Sequence, residues 1–216
     1  MNTKKAVIVD YGMGNIFSIQ MAVNAIGGAA EVSSVPTTIA GADRIILPGV
    51  GAFQKAMDEL QKMKLIDTIR AFVGTGRPVI GICLGMQLLF SESYEFGEHK
   101  GLNLIEGKVL RFHKSEADQY HKIPQIGWND IKMPSGNVMN LWANTVLDGI
   151  VPGSFFYFVH SFYCKPDNQD NVLAETSYGR DTFCSVARKD NVWGCQFHPE
   201  RSAEKGLLIY KNFFDL

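Results

Sequence analysis

Apolar residues follow two regimes along this chain. In the first half, short solid apolar runs alternate with stretches whose apolar positions recur three and four residues apart. Residues 6–10, Ala6-Val7-Ile8-Val9-Asp10, have the make-up of a buried strand, and residues 16–26 that of a helix closed by Gly27-Gly28. Ala30-Glu31-Val32-Ser33 predicts a second strand, and Arg44-Ile45-Ile46-Leu47 a third that stops at Pro48-Gly49-Val50-Gly51. Helical patterns over 52–63 and 65–73 lead through Gly74-Thr75-Gly76 to a strand over 78–82 and helix formers over 86–90. Strands alternating with helices predict βαβ units and a mainly parallel sheet.

The second half changes character. Residues 108–112, 129–133, 155–162 and 183–188 read as strands with no long helix between them. This predicts antiparallel strands added to the parallel core. Residues 192–197 form a last apolar strand and 204–214 a closing helix. The fold class is therefore α/β, a mainly parallel central sheet flanked by helices with added antiparallel strands in the second half. With no repeat, low-complexity linker or composition break, residues 1–216 read as a single domain.

Composition narrows the function classes. The chain has 216 residues, is 46% hydrophobic and 20% charged, and carries a net charge of −1. That balance offers no basic field for nucleic acid and no acidic tail. The first apolar run is too short for a signal peptide, and no stretch reaches the ~18 apolar residues of a membrane span. Four cysteines lack any C-x-x-C spacing. The expectation is a cytoplasmic protein with free thiols.

One of those thiols has a distinctive setting. Gly81-Ile82-Cys83-Leu84-Gly85 joins a buried strand to a helix and fits the nucleophile-elbow pattern G-x-S-x-G with cysteine for serine. A tight strand-to-helix turn strains the central residue and pushes its side chain outward, and the small flanking residues make room. The helix beginning there points its positive end at the sulfur, and the Leu84 N–H is placed to hold an oxyanion. By itself the pattern reads equally well as a buried cysteine in a glycine-rich turn. Gln87 lies one helical turn after Cys83.

A base is offered by Gln196-Phe197-His198-Pro199-Glu200. In extended chain, residues i and i+2 point the same way with Cα atoms about 6.6 Å apart. Glu200 then reaches one ring nitrogen of His198 and fixes its tautomer, while Pro199 disfavours helix at His198. Such a pair is often a structural surface pair; its place after a core strand, in a chain with a cysteine elbow, favours catalysis. Val50 or Gly51 in the glycine-rich end of the third strand can add a second oxyanion N–H beside Leu84. That segment also reads as a plain turn. Gly49 and Gly51 leave its backbone free to reorient. His160, flanked by aromatics in a strand, reads as a satisfied structural histidine. Cys164, Cys184 and Cys195 read as core thiols.

Together these segments resemble the triad-type, class I glutamine amidotransferases, which hydrolyse glutamine through a thioester. The resemblance covers nearly the whole chain and includes Tyr11-Gly12-Met13-Gly14-Asn15, Gly127-Trp128-Asn129 and Tyr157-Phe158-Val159-His160-Ser161 besides the motifs above. It implies Cys83 as nucleophile, His198 as base and acid, Glu200 as orienting carboxylate, and Val50, Gly51 and Leu84 around the oxyanion. Gln87 and Glu95, with backbone at Ser161 and Phe162, would hold the amino-acid end of glutamine. No cofactor and no metal are implied.

The resemblance also implies a partner. No phosphate-binding loop or nucleotide motif accompanies the elbow, so the ammonia acceptor belongs to another polypeptide. In the branch of closest resemblance that is a (β/α)8-barrel cyclase of histidine biosynthesis, forming a heterodimer. Asn15, Trp128, Tyr157 and Arg201 would face it, with Arg201 standing where lysine is expected. Paralogues feed surface-sugar synthesis instead, and the polar segment 112–121 leaves the acceptor open. A catalytically dead barrel-binding subunit and a stand-alone cysteine hydrolase are the other readings; the intact triad opposes the first, and the second would not need the GWN and YFVHS segments.

Overall fold

The computed structural model describes residues 5–114, 122–135 and 140–216. The first half reads β1 (Lys5–Val9), α1 (Ile16–Ala25), β2 (Ala29–Ser33), α2 (Pro36–Ala40), β3 (Arg44–Leu47), α3 (Phe53–Lys62), α4 (Leu65–Val73), β4 (Val79–Ile82) and α5 (Leu84–Leu88). The second half follows with β5 (Phe90–Ser93), β6 (His99–Lys100), β7 (Ile105–Arg111), β8 (Gln125–Ile131), β9 (Ser154–His160), β10 (Phe162–Pro166), β11 (Val172–Tyr178), β12 (Asp181–Lys189), β13 (Val192–Cys195) and α6 (Ala203–Asp215).

The main sheet runs β2-β1-β3-β4-β13-β12-β10-β7-β5-β6, with β11 alongside β12. Pairings from β2 to β13 are parallel, whereas β13–β12, β12–β10 and β10–β7 are antiparallel. The mixed α/β class read from the sequence is the class observed. Because strand side chains alternate, each central strand feeds two cores. Val7, Val9, Ile45 and Leu47 join α2, α3, α4 and α5 on one face. Ala6, Ile8 and Ile46 join α1 and α6 on the other.

Several expectations need correction. The run 155–162 is not one strand. It breaks at Ser161 into β9, which pairs with β8 in a separate two-stranded ribbon, and β10, which joins the main sheet. The ribbon turns Phe156 and Phe158 inward and leaves Ile126, Trp128 and Phe155 largely exposed. The helix expected over 86–90 instead starts at Leu84 and ends at Leu88, and Phe90 opens β5. The last strand ends at Cys195 rather than at residue 197. Of the polar segment 112–121, residues 115–121 lie outside the described residues. Among the described residues no helix is long and apolar enough to cross a membrane.

Candidate active site

β4 and α5 meet at Cys83, whose backbone sits at φ 53°, ψ −110°. A non-glycine residue held there is strained, and such strain collects at functional sites. Backbone contacts hold the turn. A Cβ on Gly85 would lie 1.9 Å from the Leu47 carbonyl oxygen, and one on Gly81 would lie 2.5 Å from that of Gly85. Only glycine fits either place. The Cys83 N–H donates to the Cys195 carbonyl at 2.7 Å, tying the elbow to β13.

His198 lies three residues past β13. Its N–H donates to the Tyr157 carbonyl at 2.9 Å, and its Nδ1 meets Glu200 Oε1 at 2.8 Å. The sequence placed Glu200 there through extended chain; the reach is made instead by a 3-10 turn over Pro199–Arg201, with His198 itself extended. The Glu200 side chain is fully buried, and its other oxygen is 3.4 Å from the Tyr210 hydroxyl of α6. Nε2 of His198 is buried with no partner at full hydrogen-bond geometry among the described residues. Burial works against the imidazolium, but the interactions with Cys83 and Glu200 outweigh it and lift His198 to about 10. The arrangement can therefore keep a charged imidazole beside the sulfur.

A cleft of about 320 Å³ opens over these groups. Cys83 and His198 line it with Val50, Gly51 and Leu84, whose backbone N–H groups donate to no backbone acceptor among the described residues. Gln87, Glu95, Ser161 and Phe162 line it too. The Gln87 Nε2 donates to the Phe162 carbonyl at 2.9 Å and to Gln196 Oε1 at 3.2 Å. Glu95 Oε2 accepts the Phe53 N–H that opens α3 at 2.5 Å, and burial lifts its carboxyl above the ordinary range. Every catalytic, oxyanion and glutamine-holding candidate but Glu200 faces the cleft, and Glu200 stands directly behind His198.

The oxyanion segment is less free than its glycines suggest. A Cβ on Gly49 would sit 2.5 Å from the Gly85 nitrogen, so Gly49 is pinned against the elbow. Conformational latitude is left at Gly51, which is exposed at φ 102°. His160 also departs from expectation. Its Nδ1 meets the Phe162 carbonyl at 2.8 Å, but its Nε2 is buried without a partner among the described residues, and the ring lines the cleft. Burial holds it near 4, so it is neutral. The reading of Cys164, Cys184 and Cys195 as core thiols holds: all are free and buried, and burial pushes each thiol upward.

The four interface candidates lie outside the cleft. On the outer side of the ribbon, Trp128 stands opposite Tyr157 with ring centroids 6.3 Å apart, and the Arg201 guanidinium lies 4.2 Å from the Tyr157 ring. Asn15, half-buried, begins α1. Sequence reasoning assigned no role to Gln196, whose Nε2 lies 3.7 Å from Cys83 Sγ, or to Tyr210. Gln196 sits within a motif already singled out. Tyr210 gives no signal beyond a polar tip on the apolar face of a helix.

Residues 7–216 match the family described as glutamine amidotransferase class-I, and the chain belongs to that family. Solved structures share its fold: one of a glutamine amidotransferase has a TM-score of 0.72 at 17% identity, covering 97% of both chains. PurLQS from Thermotoga maritima gives 0.70 at 19% identity, covering 99% of this chain and 98% of the other. Among curated proteins, the chain is 45% identical over 97% of its length to imidazole glycerol phosphate synthase subunit HisH of Syntrophotalea carbinolica, covering 99% of that protein. It is also 43% identical to subunit HisH 1 of Legionella pneumophila, covering 97% of this chain and 98% of that one.

Proposed function

We propose that this chain is the glutaminase subunit of an imidazole glycerol phosphate synthase, releasing ammonia from L-glutamine for a (β/α)8-barrel cyclase in histidine biosynthesis. The observation that carries the chemistry is the strained Cys83 facing a cleft it shares with His198, with buried Glu200 paired behind the imidazole. The identity to HisH subunits over nearly the full length supports the histidine pathway rather than the surface-sugar one. It also speaks against a stand-alone hydrolase.

In the proposed reaction the Cys83 sulfur attacks the γ-carboxamide carbon of glutamine. Charge moves to the carbonyl oxygen, which the N–H of Leu84 and that of Val50 or Gly51 receive. As the C–N bond breaks, His198 passes a proton to the leaving nitrogen, giving ammonia and a thioester. His198 then takes a proton from water, whose oxygen attacks the thioester, and glutamate leaves with the sulfur restored as thiolate. Glu200 holds the imidazole throughout. Glu95 offers a carboxylate to the substrate's α-ammonium group, and Gln87, Ser161 and Phe162 close that end of the cleft.

The cyclase would seat on the ribbon's outer face, where Trp128 is 53% exposed beside Tyr157 and Arg201, together with Asn15. Arginine suits this place because its guanidinium sits over the Tyr157 ring, 4.2 Å from the centroid.

The test joins labelling to kinetics. A diazo-oxo-norleucine should label Cys83 alone, and Cys83→Ser should abolish glutamate release while the chain still binds the cyclase. Labelling of Cys164, Cys184 or Cys195 would overturn the assignment. The isolated chain should be a weak glutaminase, because the one unpinned side of the oxyanion segment is the peptide at Gly51. Cyclase with its own substrate bound should raise the rate by about 10²–10³, the worth of one oxyanion donor. Full activity without a partner would return the reading to a stand-alone hydrolase.

A further inference from the structure

Gln196 is fully buried, and its contacts form a short directed chain. Gln87 Nε2 donates to the Phe162 carbonyl at 2.9 Å and to Gln196 Oε1 at 3.2 Å. Gln196 Nε2 then reaches Cys83 Sγ at 3.7 Å. A primary amide can be turned end for end with little change of shape, so its polarity has to be fixed by its partners. Here it is. A backbone carbonyl can only accept, so Gln87 must present its NH2 to Phe162. The same NH2 must meet an oxygen on Gln196, which leaves the Gln196 NH2 facing the sulfur.

A backbone carbonyl opposes this at the sulfur. The Val159 carbonyl lies 3.8 Å from Sγ and, being an acceptor, favours the protonated thiol. A donor favours the thiolate. The helix that follows Cys83 spans only Leu84–Leu88, little more than one turn, so its dipole is a limited source of support.

We infer that Gln196 is a further catalytic residue, whose amide N–H donates to the Cys83 sulfur and sustains the thiolate, with its polarity imposed through Gln87 by the Phe162 carbonyl. This rests on the reading of Cys83 as the nucleophile and adds a donor to it. The Phe162 carbonyl also takes His160 Nδ1 at 2.8 Å. One acceptor thus sets the sense of three side chains around the cleft.

The experiment measures iodoacetamide alkylation of Cys83 across pH by peptide mapping, in the wild-type chain and in Gln196→Met and Gln196→Glu. Methionine keeps the length without a donor, and glutamate keeps the shape with acceptors in place of the NH2. Gln196→Met should slow alkylation at pH 7 by about ten-fold or more, the scale of one hydrogen bond to a charged group, and move the profile to higher pH. Gln196→Glu should slow it at least as much and serves if the methionine variant does not fold. Glutamate release should lose kcat with little change in KM. An unaltered alkylation profile in a folded variant would overturn the proposal while Cys83 remained the nucleophile. Absence of selective alkylation at Cys83 in the wild-type chain would instead overturn the nucleophile reading itself.

Discussion

Replacing Glu200 by glutamine isolates charge from shape. The carboxylate lies 2.8 Å from His198 Nδ1 and is fully buried, so water does little to screen the pair. Glutamine retains an oxygen that accepts from Nδ1–H, and its NH2 can turn to the Tyr210 oxygen. What disappears is the attraction for the imidazolium. Unit charges about 4 Å apart interact by about 4 kcal/mol at an effective dielectric of about 20, which corresponds to about 10³ in rate. Glu200→Gln should therefore lower kcat for glutamate release by about that factor with KM nearly unchanged, and His198→Ala should lower it further. A pH signature accompanies the kinetics. His198 is lifted from 6.5 to about 10 in the folded chain. Its stabilisation is complete below about 6.5 and is lost as pH climbs through about 10, so Tm should decline across that window. The decline should be shallower in Glu200→Gln. Glutamate release followed with a coupled dehydrogenase, and calorimetry at stepped pH, read both effects. A loss under about ten-fold, or one equal to that of His198→Ala, would refute the division of roles.

Tyr210→Phe removes the donor on the second Glu200 oxygen; at 3.4 Å that bond is long, so kcat should fall about five-fold, with KM and Tm nearly unchanged in steady-state and melting assays. Gly85→Ala would press a methyl into the Leu47 carbonyl oxygen and should destabilise the fold by about 3 kcal/mol or more in urea titration. His160 stays neutral down to about 4, whereas the unfolded chain takes up that proton near 6.5. Stability should therefore fall as pH drops through that window, and His160→Gln should flatten the acid limb of a Tm–pH curve.

Much of this architecture is legible because its signals are local. The parallel strands are solid β-branched runs, and the helices from 53 to 73 show a clean apolar stripe. The proposed triad is marked by local residues: glycines either side of Cys83, and proline between His198 and Glu200. What escapes is set at long range. α2 spans only Pro36–Ala40 and buries only Ile39, and β6 is two residues long, so neither carries a readable period. The break at Ser161 lies in an apolar run with no glycine or proline, and only the competing pairings with β8 and β7 decide it. His160 was expected to be satisfied because aromatics surround it; the sequence cannot say that only one of its nitrogens finds a partner. Tyr210 meets Glu200 across a turn and two turns of helix.

The ribbon of β8 and β9 joins the outside of the molecule to the proposed site through a single residue. Tyr157 turns its ring outward to Trp128 and Arg201, while its carbonyl takes the His198 N–H and its own N–H donates to Ser202 Oγ at 3.0 Å. That serine hydroxyl in turn donates to the His198 carbonyl at 2.6 Å. Two residues further along the same strand, the Val159 carbonyl faces the Cys83 sulfur. A tilt of this ribbon by a fraction of an ångström would shift His198 and the acceptor on the Cys83 sulfur in one movement. Such a layout would act as a lever, with the Ser202 hydroxyl as its one side-chain link to His198 among these contacts. With the cyclase seated on this outer face as proposed, changes to that face would also be changes to turnover.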